Sequence, residues 1–450
     1  MVETYQIYKT PGKGVLWKLP VEAAKTFNLR ESQYVQLHFG SLSIRAKLMI
    51  AKPSDLPVQG MGLSNEALNS LNLPQNVSLG IKPVSLDQFQ LGPIVGVLTF
   101  PRVIGQKKFA LYTYYAKKMK SAGLLYVFGP KDIHPAAKTV TGFAYDEAKG
   151  TWEKREFPYP DAVMDRMYPN DLQAHRELEK VIGNNRIFNK KTMINKLEFY
   201  TLLNNNPFLQ RFLPVTKPFL QASDLVNFLD KYPQVFLKPV DGMKGRGIIN
   251  IVAENDGLLC RYMDGKKPTS EKIRHSGLIG NVLAHAGGHG KQYILQAAVN
   301  RMKCQDRPFN FRVMTIKDDS GNWSVPAIFA RVTASNGFLT NNSAGGEFIL
   351  LKDLFAHIGT QIPYKMNSLL SFLIVISLST AIVLDNEFGP LGKLGLDFVL
   401  DNSGKPWLLE ANGNPGLMPR NSLSEFPDWL NHSFDSHLAY ARFLAGFDQP

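Results

Sequence analysis

The sequence predicts a multidomain α+β protein, and three observations support that prediction. The chain has 450 residues, of which 44% are hydrophobic, and a chain of this size is expected to form about two to four domains. A strand–helix–strand pattern over residues 94–128 predicts a parallel sheet. Near the C-terminal end, two apolar runs of strand length flank a turn at residues 402–405, which is typical of a β-hairpin.

Residues 1–92 are expected to form a small β-rich module. Segments 34–39 and 43–50 alternate polar and apolar residues around Gly40, as half-buried strands do. Ser64 is placed to cap a short helix. No spacing here is typical of a catalytic site, so we interpret the module as an appendage for docking or localisation.

Residues 93–185 are expected to form an α/β domain. Apolar strand runs at 94–99 and 124–128 enclose a helical pattern, residues 142–157 indicate a hairpin, and residues 162–166 indicate another buried strand. The first strand is not followed by the glycine fingerprint of a dinucleotide site, which argues against a Rossmann cofactor.

The remaining residues, 186–450, mix helices and strands. Helical spacing covers residues 190–203, and the run 235–239 indicates a strand that ends in Lys-Pro. The apolar segment 368–384 approaches the length of a membrane span, but it contains five Ser or Thr residues and has charged flanks. We therefore expect a buried helix there and no membrane span.

The composition favours anionic partners. Lys and Arg number 51 against 38 Asp and Glu, which leaves a net charge of +13. The basic residues are dispersed, so no specific nucleic-acid arm is expected. The two cysteines lack CxxC spacing and residues 1–10 lack an apolar core, which together indicate a cytoplasmic protein without a signal peptide.

The predicted hairpin carries three oxygen-bearing side chains. Asp397 lies in its first strand, Glu410 lies opposite in the second, and Asn412 follows on the same face. Carboxylates that converge in this way repel each other unless a cation lies between them, and an all-oxygen set suits Mg²⁺. The alternative is that they are ordinary solvent-facing strand residues.

A second candidate site is the loop that follows the strand at 235–239. Three glycines within six residues let backbone amides approach a ligand closely. Lys238, Lys244 and Arg246 add charge around the loop, so it is a candidate phosphate cradle, although it contains neither a Walker motif nor GxGxxG. A glycine-rich turn with solvated cations is the alternative.

Two further strands complete the set. The apolar run 293–299 can offer its backbone to an adenine edge, or it can be simply a buried strand. The run 307–314 carries Arg307 and Arg312, whose planar guanidinium groups suit carboxylate or phosphate. A surface salt bridge is the alternative for each arginine.

The order of these parts resembles the ATP-grasp superfamily. Four motifs resemble its YheC/YheD family, which is described as endospore coat-associated in spore-forming bacteria: FLKP at 236–239, RPFNFR at 307–312, TNNSAGG at 340–346 and LGLD at 394–397. The resemblance spans roughly residues 94–445. It implies an ATP-grasp fold, two α+β subdomains that clamp a nucleotide, over 186–450 with a C-terminal helix, preceded by a pre-ATP-grasp domain over 93–185.

The resemblance also implies ATP and Mg²⁺ as cofactors and a set of site residues. The phosphates are expected to meet two lysines and a glycine flap: Lys190, Lys238, Gly242, Lys244, Gly245 and Gly247. Adenine is expected at the backbone of the hinge: Gln296, Ala297, Ala298 and Val299. Arg312 is expected to neutralise an acyl phosphate with help from Arg331, and Asp306 is a substitute for the absent ribose-binding acid. The metal ligands are expected to be Asp397, Glu410 and Asn412, with Glu410 bridging two ions.

The chain departs from the family pattern at three positions. Asn189 and Asn310 stand where acidic residues are expected, and Lys393 stands where Glu often precedes the metal strand. These changes remove negative charge near the phosphates. The substrate pocket is expected from residues 331–346 and 413–422.

The activity implied by the resemblance is an ATP- and Mg²⁺-dependent carboxylate–amine ligase that acts through an acyl phosphate. Its partners are expected to be ATP, a carboxylate, an amine and spore coat proteins. Two alternatives remain open: a nucleotide-binding coat scaffold without turnover, and an ATP-dependent kinase.

Overall fold

The structure is a computed structural model that describes residues 3–75, 77–100, 109–120, 122–242, 245–265, 267–275, 279–285, 290–333, 347–413, 415 and 427–447. Its described strands form four sheets that follow one another along the chain. The two C-terminal sheets carry the predicted site residues.

The first sheet is a closed barrel in the order β1-β5-β2-β4-β3-β7-β6. Its elements are β1 Thr4–Lys9, β2 Leu16–Pro20, α1 Val21–Thr26, β3 Tyr34–Phe39, β4 Leu42–Ala51, β5 Gly60–Leu63, α2 Asn65–Ser70, β6 Ser78–Ser85 and β7 Gln88–Gly92. Trp17 is fully buried in the barrel against Phe89, at 5.4 Å between ring centroids. Ser64 caps α2 by accepting a hydrogen bond from the Ala67 amide, as expected.

The second sheet has the order β10-β11-β9-β8-β13-β14, and β12 pairs with β11. Its elements are β8 Ile94–Leu98, α3 Phe109–Met119, β9 Leu124–Phe128, β10 Ile133–His134, β11 Thr139–Asp146, β12 Thr151–Pro158, β13 Ala162–Asp165, α4 Leu172–Ile182 and β14 Ile187–Phe188. The strands β9, β8, β13 and β14 are parallel neighbours, which confirms the predicted parallel sheet. The predicted domain boundary at 185 lies two residues before β14, which joins this sheet.

The third sheet is antiparallel, in the order β15-β20-β16-β17-β18-β19. Its unit contains α5 Lys196–Asn204, β15 Thr216–Phe219, α6 Ala222–Leu229, β16 Gln234–Pro239, β17 Ile249–Glu254, β18 Gly257–Asp264, β19 Lys267–Ile273, α7 Ile279–His285 and β20 Tyr293–Ala297. Helix α5 begins six residues later than the predicted start at 190. The reason is local, because the Asn195 side chain accepts hydrogen bonds from the amides of Leu197 and Glu198 and caps the helix there.

The fourth sheet has the order β24-β23-β22-β25-β26, and β21 pairs with β22. Its unit contains β21 Lys303–Cys304, β22 Arg307–Lys317, β23 Trp323–Val332, β24 Glu347–Ile349, α8 Leu351–Ile358, α9 Met366–Phe388, β25 Lys393–Leu400, β26 Pro406–Asn412 and α10 Pro427–Ala445. The pairing of β25 with β26 confirms the predicted hairpin. Helix α10 returns to the second sheet and packs against α3, β8 and β13, and it also contacts β22 and β23 of the fourth sheet. The last helix therefore connects the second sheet with the fourth.

Helix α9 is long and apolar enough to cross a membrane by length and composition alone. Its inner face packs into the core of the fourth sheet through Leu373, Ile376 and Leu384. Its outer face exposes apolar side chains, including Val375 and Ile382. The helix is therefore half-buried, whereas the sequence predicted a buried one.

The barrel meets the second sheet at the two-residue turn between β3 and β4. The Ser41 hydroxyl donates to the Lys138 carbonyl at 2.6 Å and accepts from the Tyr159 amide at 2.8 Å. Gly40 has a left-handed φ of 54°, and a Cβ added there would lie 2.1 Å from the Tyr159 carbonyl oxygen. The turn therefore requires glycine for two separate reasons.

Gly40→Ala is expected to lower the free energy of unfolding by about 3 kcal/mol, since it combines a left-handed backbone with a backbone clash. Gly150→Ala is the matched control, because Gly150 has a φ of 67° and nothing within 4 Å of an added Cβ. It should cost only about 1 kcal/mol. Urea unfolding followed by tryptophan fluorescence measures both, and equal losses would contradict the tight docking of the turn.

Candidate functional site

The β25–β26 hairpin holds two carboxylates directly opposite each other. Its register pairs Asp397 with Glu410, and then shifts so that Phe398 pairs with Leu408. Side chains of directly opposed residues lie on the same face of a sheet. Asn412, two residues beyond Glu410, pairs with Gly395 and donates weakly to its carbonyl at 3.5 Å. The hairpin therefore brings the three predicted metal ligands to one face.

Asp397 is gripped by two arginines from neighbouring strands. Arg312 on β22 donates from Nε and Nη2 to the two carboxylate oxygens, both at 2.6 Å. Arg331 on β23 donates to Oδ1 at 2.7 Å. This bidentate contact plus a third charged bond is the strong form of a carboxylate–arginine interaction. The sequence predicted both arginines for the site but not their pairing with Asp397.

The charges around Asp397 are buried together. Burial raises the pKa of Asp397, but the positive charges of Arg312 and Arg331 outweigh it and hold the pKa below its usual value. For Arg331 the balance is reversed, since burial lowers its pKa more than Asp397 raises it. The carboxylate is therefore ionised and shared between two cations.

Lys238, on β16 of the third sheet, points toward the same region. Its ammonium is buried and donates to the Gln296 side-chain oxygen at 2.5 Å. Burial lowers the pKa of Lys238 to about 8, while Glu410 and Asp397 act in the opposite direction. A buried lysine with only a neutral hydrogen-bond acceptor is poised for an anionic partner.

The structure does not bring Lys190 to this group. Its ammonium forms an ion pair with Glu179 on α4, at 2.8 Å, and donates to the Asn184 carbonyl. The lysine that lies beside Lys238 is Lys196, the first residue of α5, which donates to the Gly242 carbonyl at 2.9 Å. Lys196 is also 3.9 Å from a Glu410 oxygen. Sequence reasoning missed Lys196 because it placed the helix start one and a half turns too early.

Arg301 is a second cation that the sequence did not reveal. Its guanidinium is 6.0 Å from the Phe236 ring centroid, and burial lowers its pKa to about 10. Its charge also acts on Lys238. It follows the predicted hinge in an irregular segment, where no spacing signal marks it.

The described part of the site is strongly positive. Five cationic side chains surround two carboxylates: Lys196, Lys238, Arg301, Arg312 and Arg331 against Asp397 and Glu410. The excess of three positive charges in this partly buried region favours a polyanion such as a triphosphate.

The glycine flap joins the antiparallel strands β16 and β17. Gly245 and Gly247 both have a left-handed φ of 74°, and Gly242 binds Lys196 through its carbonyl. Lys244 lies outside the described residues. The flap therefore contacts Lys196 directly through the Gly242 carbonyl.

The hinge backbone is partly engaged within the sheet. The amides of Ala297 and Ala298 donate to Val215 and Gln234 at 2.9 and 3.0 Å. The Val299 amide makes no hydrogen bond to the described residues, so it is available to a ligand edge. The Gln296 side chain accepts a hydrogen bond from Lys238 and donates one to the Thr216 hydroxyl.

Asp306 does not join the group. It lies in the tight turn between β21 and β22 with a φ of 60°. Arg312, which contacts Asp397, is six residues further along the strand direction, a separation of roughly 20 Å. The assignment of Asp306 as a ribose ligand stays a prediction.

The donor set fits Mg²⁺ through Glu410, which lies 3.9 Å from Lys196 and interacts with Asp397, and through the Asn412 side-chain oxygen. Asp397 can contribute a ligand oxygen only where the hydrogen bonds from Arg312 and Arg331 leave part of its carboxylate accessible. Two orphaned polar atoms lie beside it, Asn310 Oδ1 and Arg331 Nε, and buried orphans of this kind indicate a polar ligand. Most of the predicted substrate pocket, 334–346, 414 and 416–422, lies outside the described residues.

Comparisons with known proteins identify sequence relatives and similar solved structures. The chain is 26% identical over 404 residues to the endospore coat-associated protein YheD of Bacillus subtilis (strain 168), covering 86% of each chain. It is 27% identical over 312 residues to the endospore coat-associated protein YheC of the same organism, covering 67% of this chain and 83% of YheC. Among solved structures, D-alanyl-alanine synthetase A from Vibrio cholerae matches with a TM-score of 0.45 and 12% identity, over 79% of this chain and 98% of that one.

The family model described as YheC/D like ATP-grasp matches residues 184–444. That range contains all the site residues described above: Lys196 and Lys238, the glycine flap between β16 and β17, Arg312 and Arg331, and the β25–β26 hairpin with its two carboxylates. The chain belongs to the YheC/D-like ATP-grasp family.

Proposed function

We propose that this protein is an ATP- and Mg²⁺-dependent carboxylate–amine ligase that acts through an acyl phosphate. The observation that carries the proposal is the concentration of five cations around two opposed carboxylates, between the third and fourth sheets. Such a site suits a reaction in which charge moves between a triphosphate and an acceptor carboxylate, because its work is positioning and electrostatic stabilisation.

Each cation has a distinct place in that reaction. Lys196 and Lys238 hold the outer phosphates of ATP under the glycine flap, and Arg301 adds charge from the hinge side. Glu410 and Asn412 would hold Mg²⁺, with Asp397 beside them, and the ion would supply charge neutralisation on the phosphates. The acceptor carboxylate attacks the terminal phosphorus in line, and ADP leaves.

Arg312 and Arg331 serve the next stage. Their guanidinium groups hold Asp397, and a phosphate oxyanion offers the same bidentate acceptor geometry. An acyl phosphate beside the hairpin therefore competes with Asp397 for them and draws part of the pair away. An amine then attacks the acyl carbon, phosphate leaves, and an amide remains.

A scaffold without turnover is the second candidate, and the same contact supports it. Three hydrogen bonds from arginines occupy most of the lone pairs of Asp397 and oppose a metal ion there. A protein in which Arg312 and Arg331 stay bound to Asp397 can bind a nucleotide without activating it.

We also propose that the protein acts in association with the spore coat. The support is the description of its two relatives, YheD and YheC, as endospore coat-associated. Coat proteins are then candidate partners, and amino acids or peptides are the candidate substrates.

Lys196→Gln is expected to weaken ATP binding by about tenfold or more, because it removes a charge-assisted contact to phosphate. Lys190→Gln is the matched control and should leave binding nearly unchanged, since Lys190 is paired with Glu179. Titration calorimetry with ATP and Mg²⁺ compares them. A loss in Lys190→Gln without one in Lys196→Gln would restore the assignment made from the sequence.

ATP affinity is expected to fall about tenfold between pH 7 and pH 9, as Lys238 loses its proton through a pKa of about 8. The sign follows from binding, since only the charged ammonium attracts phosphate. Lys238→Arg keeps its charge over this range and should flatten the profile. Parallel profiles for the two proteins would show that another group controls binding.

Turnover separates the ligase from the scaffold. The protein with ATP, Mg²⁺ and pools of amino acids or peptides is expected to release ADP and phosphate. The double variant Asp397→Asn, Glu410→Gln should lose at least about 100-fold of that rate while still binding nucleotide through its lysines. Equal rates in both proteins would leave the scaffold as the better account.

A further inference from the structure

A polar cavity whose lining contains none of the ATP-site residues lies where three parts of the protein meet. It has a volume of about 300 Å³ and is lined by the barrel, the second sheet with α4, and the end of α10. Its polar lining includes Lys82, Gln90, Asp161 and Arg186. The volume is at the lower end of the range for sites that take small molecules.

Lys82 extends into this cavity from β6 without a polar partner. Its ammonium makes no hydrogen bond or ion pair with the residues that the structure describes, and lies 6.0 Å from the Phe447 ring centroid. The side chain is half-buried. A partly desolvated ammonium without an acceptor is an unfavourable arrangement unless a ligand supplies one.

Arg186 brings a second cation to the same point. A Cβ added at Gly446 would lie 2.7 Å from Lys82 Nζ and 3.8 Å from Arg186 Nη1. Arg186 donates one hydrogen bond to the Leu444 carbonyl, which fixes the guanidinium and leaves its other donors available. Two cations from segments about one hundred residues apart therefore converge on one wall of the cavity.

Asp161 does not neutralise these cations by direct contact. Its carboxylate accepts from the Ile94 amide and from Gln90, both at 2.7 Å, and neither Lys82 nor Arg186 forms an ion pair with it. Burial raises the pKa of Asp161 to about 7, against the lowering effect of the two cations. The cavity thus keeps a positive excess near neutral pH.

We propose that this cavity binds a small anionic molecule whose carboxylate or phosphate group is held between Lys82 and Arg186. Both groups present oxygen acceptors that match an ammonium beside a guanidinium. Gln90 and the rim at Ser41 provide neutral polar contacts for the rest of the molecule. The site shares no residue with the ATP site. A ligand bound there would lie at the junction between the barrel and the rest of the chain.

Titration calorimetry on the full chain, with inorganic phosphate and with succinate at constant ionic strength, tests the site. The Lys238→Gln background weakens anion binding at the ATP site, and any binding that remains there is common to the proteins compared within that background. In that background, Lys82→Gln is expected to weaken saturable binding of the responding anion by about tenfold or more. Lys9→Gln, which removes an exposed lysine from the same barrel, should change nothing.

Two Arg186 variants guard against misfolding. Arg186→Lys keeps the charge and should retain most of the binding, whereas Arg186→Gln should lose it, although both replace the guanidinium that donates to the Leu444 carbonyl. A response to phosphate alone assigns a phosphate ligand, and a response to succinate alone assigns a carboxylate. Absence of saturable binding by either anion, or binding that Lys82→Gln leaves unchanged, overturns the proposal.

Discussion

The contact of Asp397 with Arg312 and Arg331 is the interaction on which the rest of the site depends. A hairpin that places two carboxylates opposite each other in a partly buried sheet is unstable on electrostatic grounds unless cations surround it. The arginines come from the next two strands, β22 and β23, so the sheet order itself delivers the compensation. The same positive charges then become available to phosphate.

The lysines reach this point from the other sheet. Lys238 lies on a buried strand and Lys196 at a capped helix start, and both are therefore fixed before a ligand arrives. Groups fixed on rigid elements lose little entropy on binding, and burial makes each charge act more strongly than in water. The depressed pKa of Lys238 is the cost of that arrangement, since the dry environment also disfavours its own charge.

The architecture links this site to the N-terminal barrel only indirectly. The β3–β4 turn locks the barrel to the second sheet through Ser41, and α10 carries the chain from the fourth sheet back to the second. The positively charged cavity lined by Lys82 and Arg186 lies at that crossing. A ligand there would contact the barrel, α4 and the end of α10 together. It would therefore lie where the barrel, the second sheet and the last helix meet.

The sequence by itself determined the local structure. Alternation of polar and apolar residues gave the barrel strands and the hairpin, and register followed from a short turn, so Asp397, Glu410 and Asn412 were found as one face. Only the tertiary structure decided which cations meet that face. Lys190 pairs with Glu179 instead, while Lys196 and Arg301 take places that no periodicity marks. Such contacts join segments from separate sheets, and their geometry depends on packing between elements, which residue spacing along one chain does not encode.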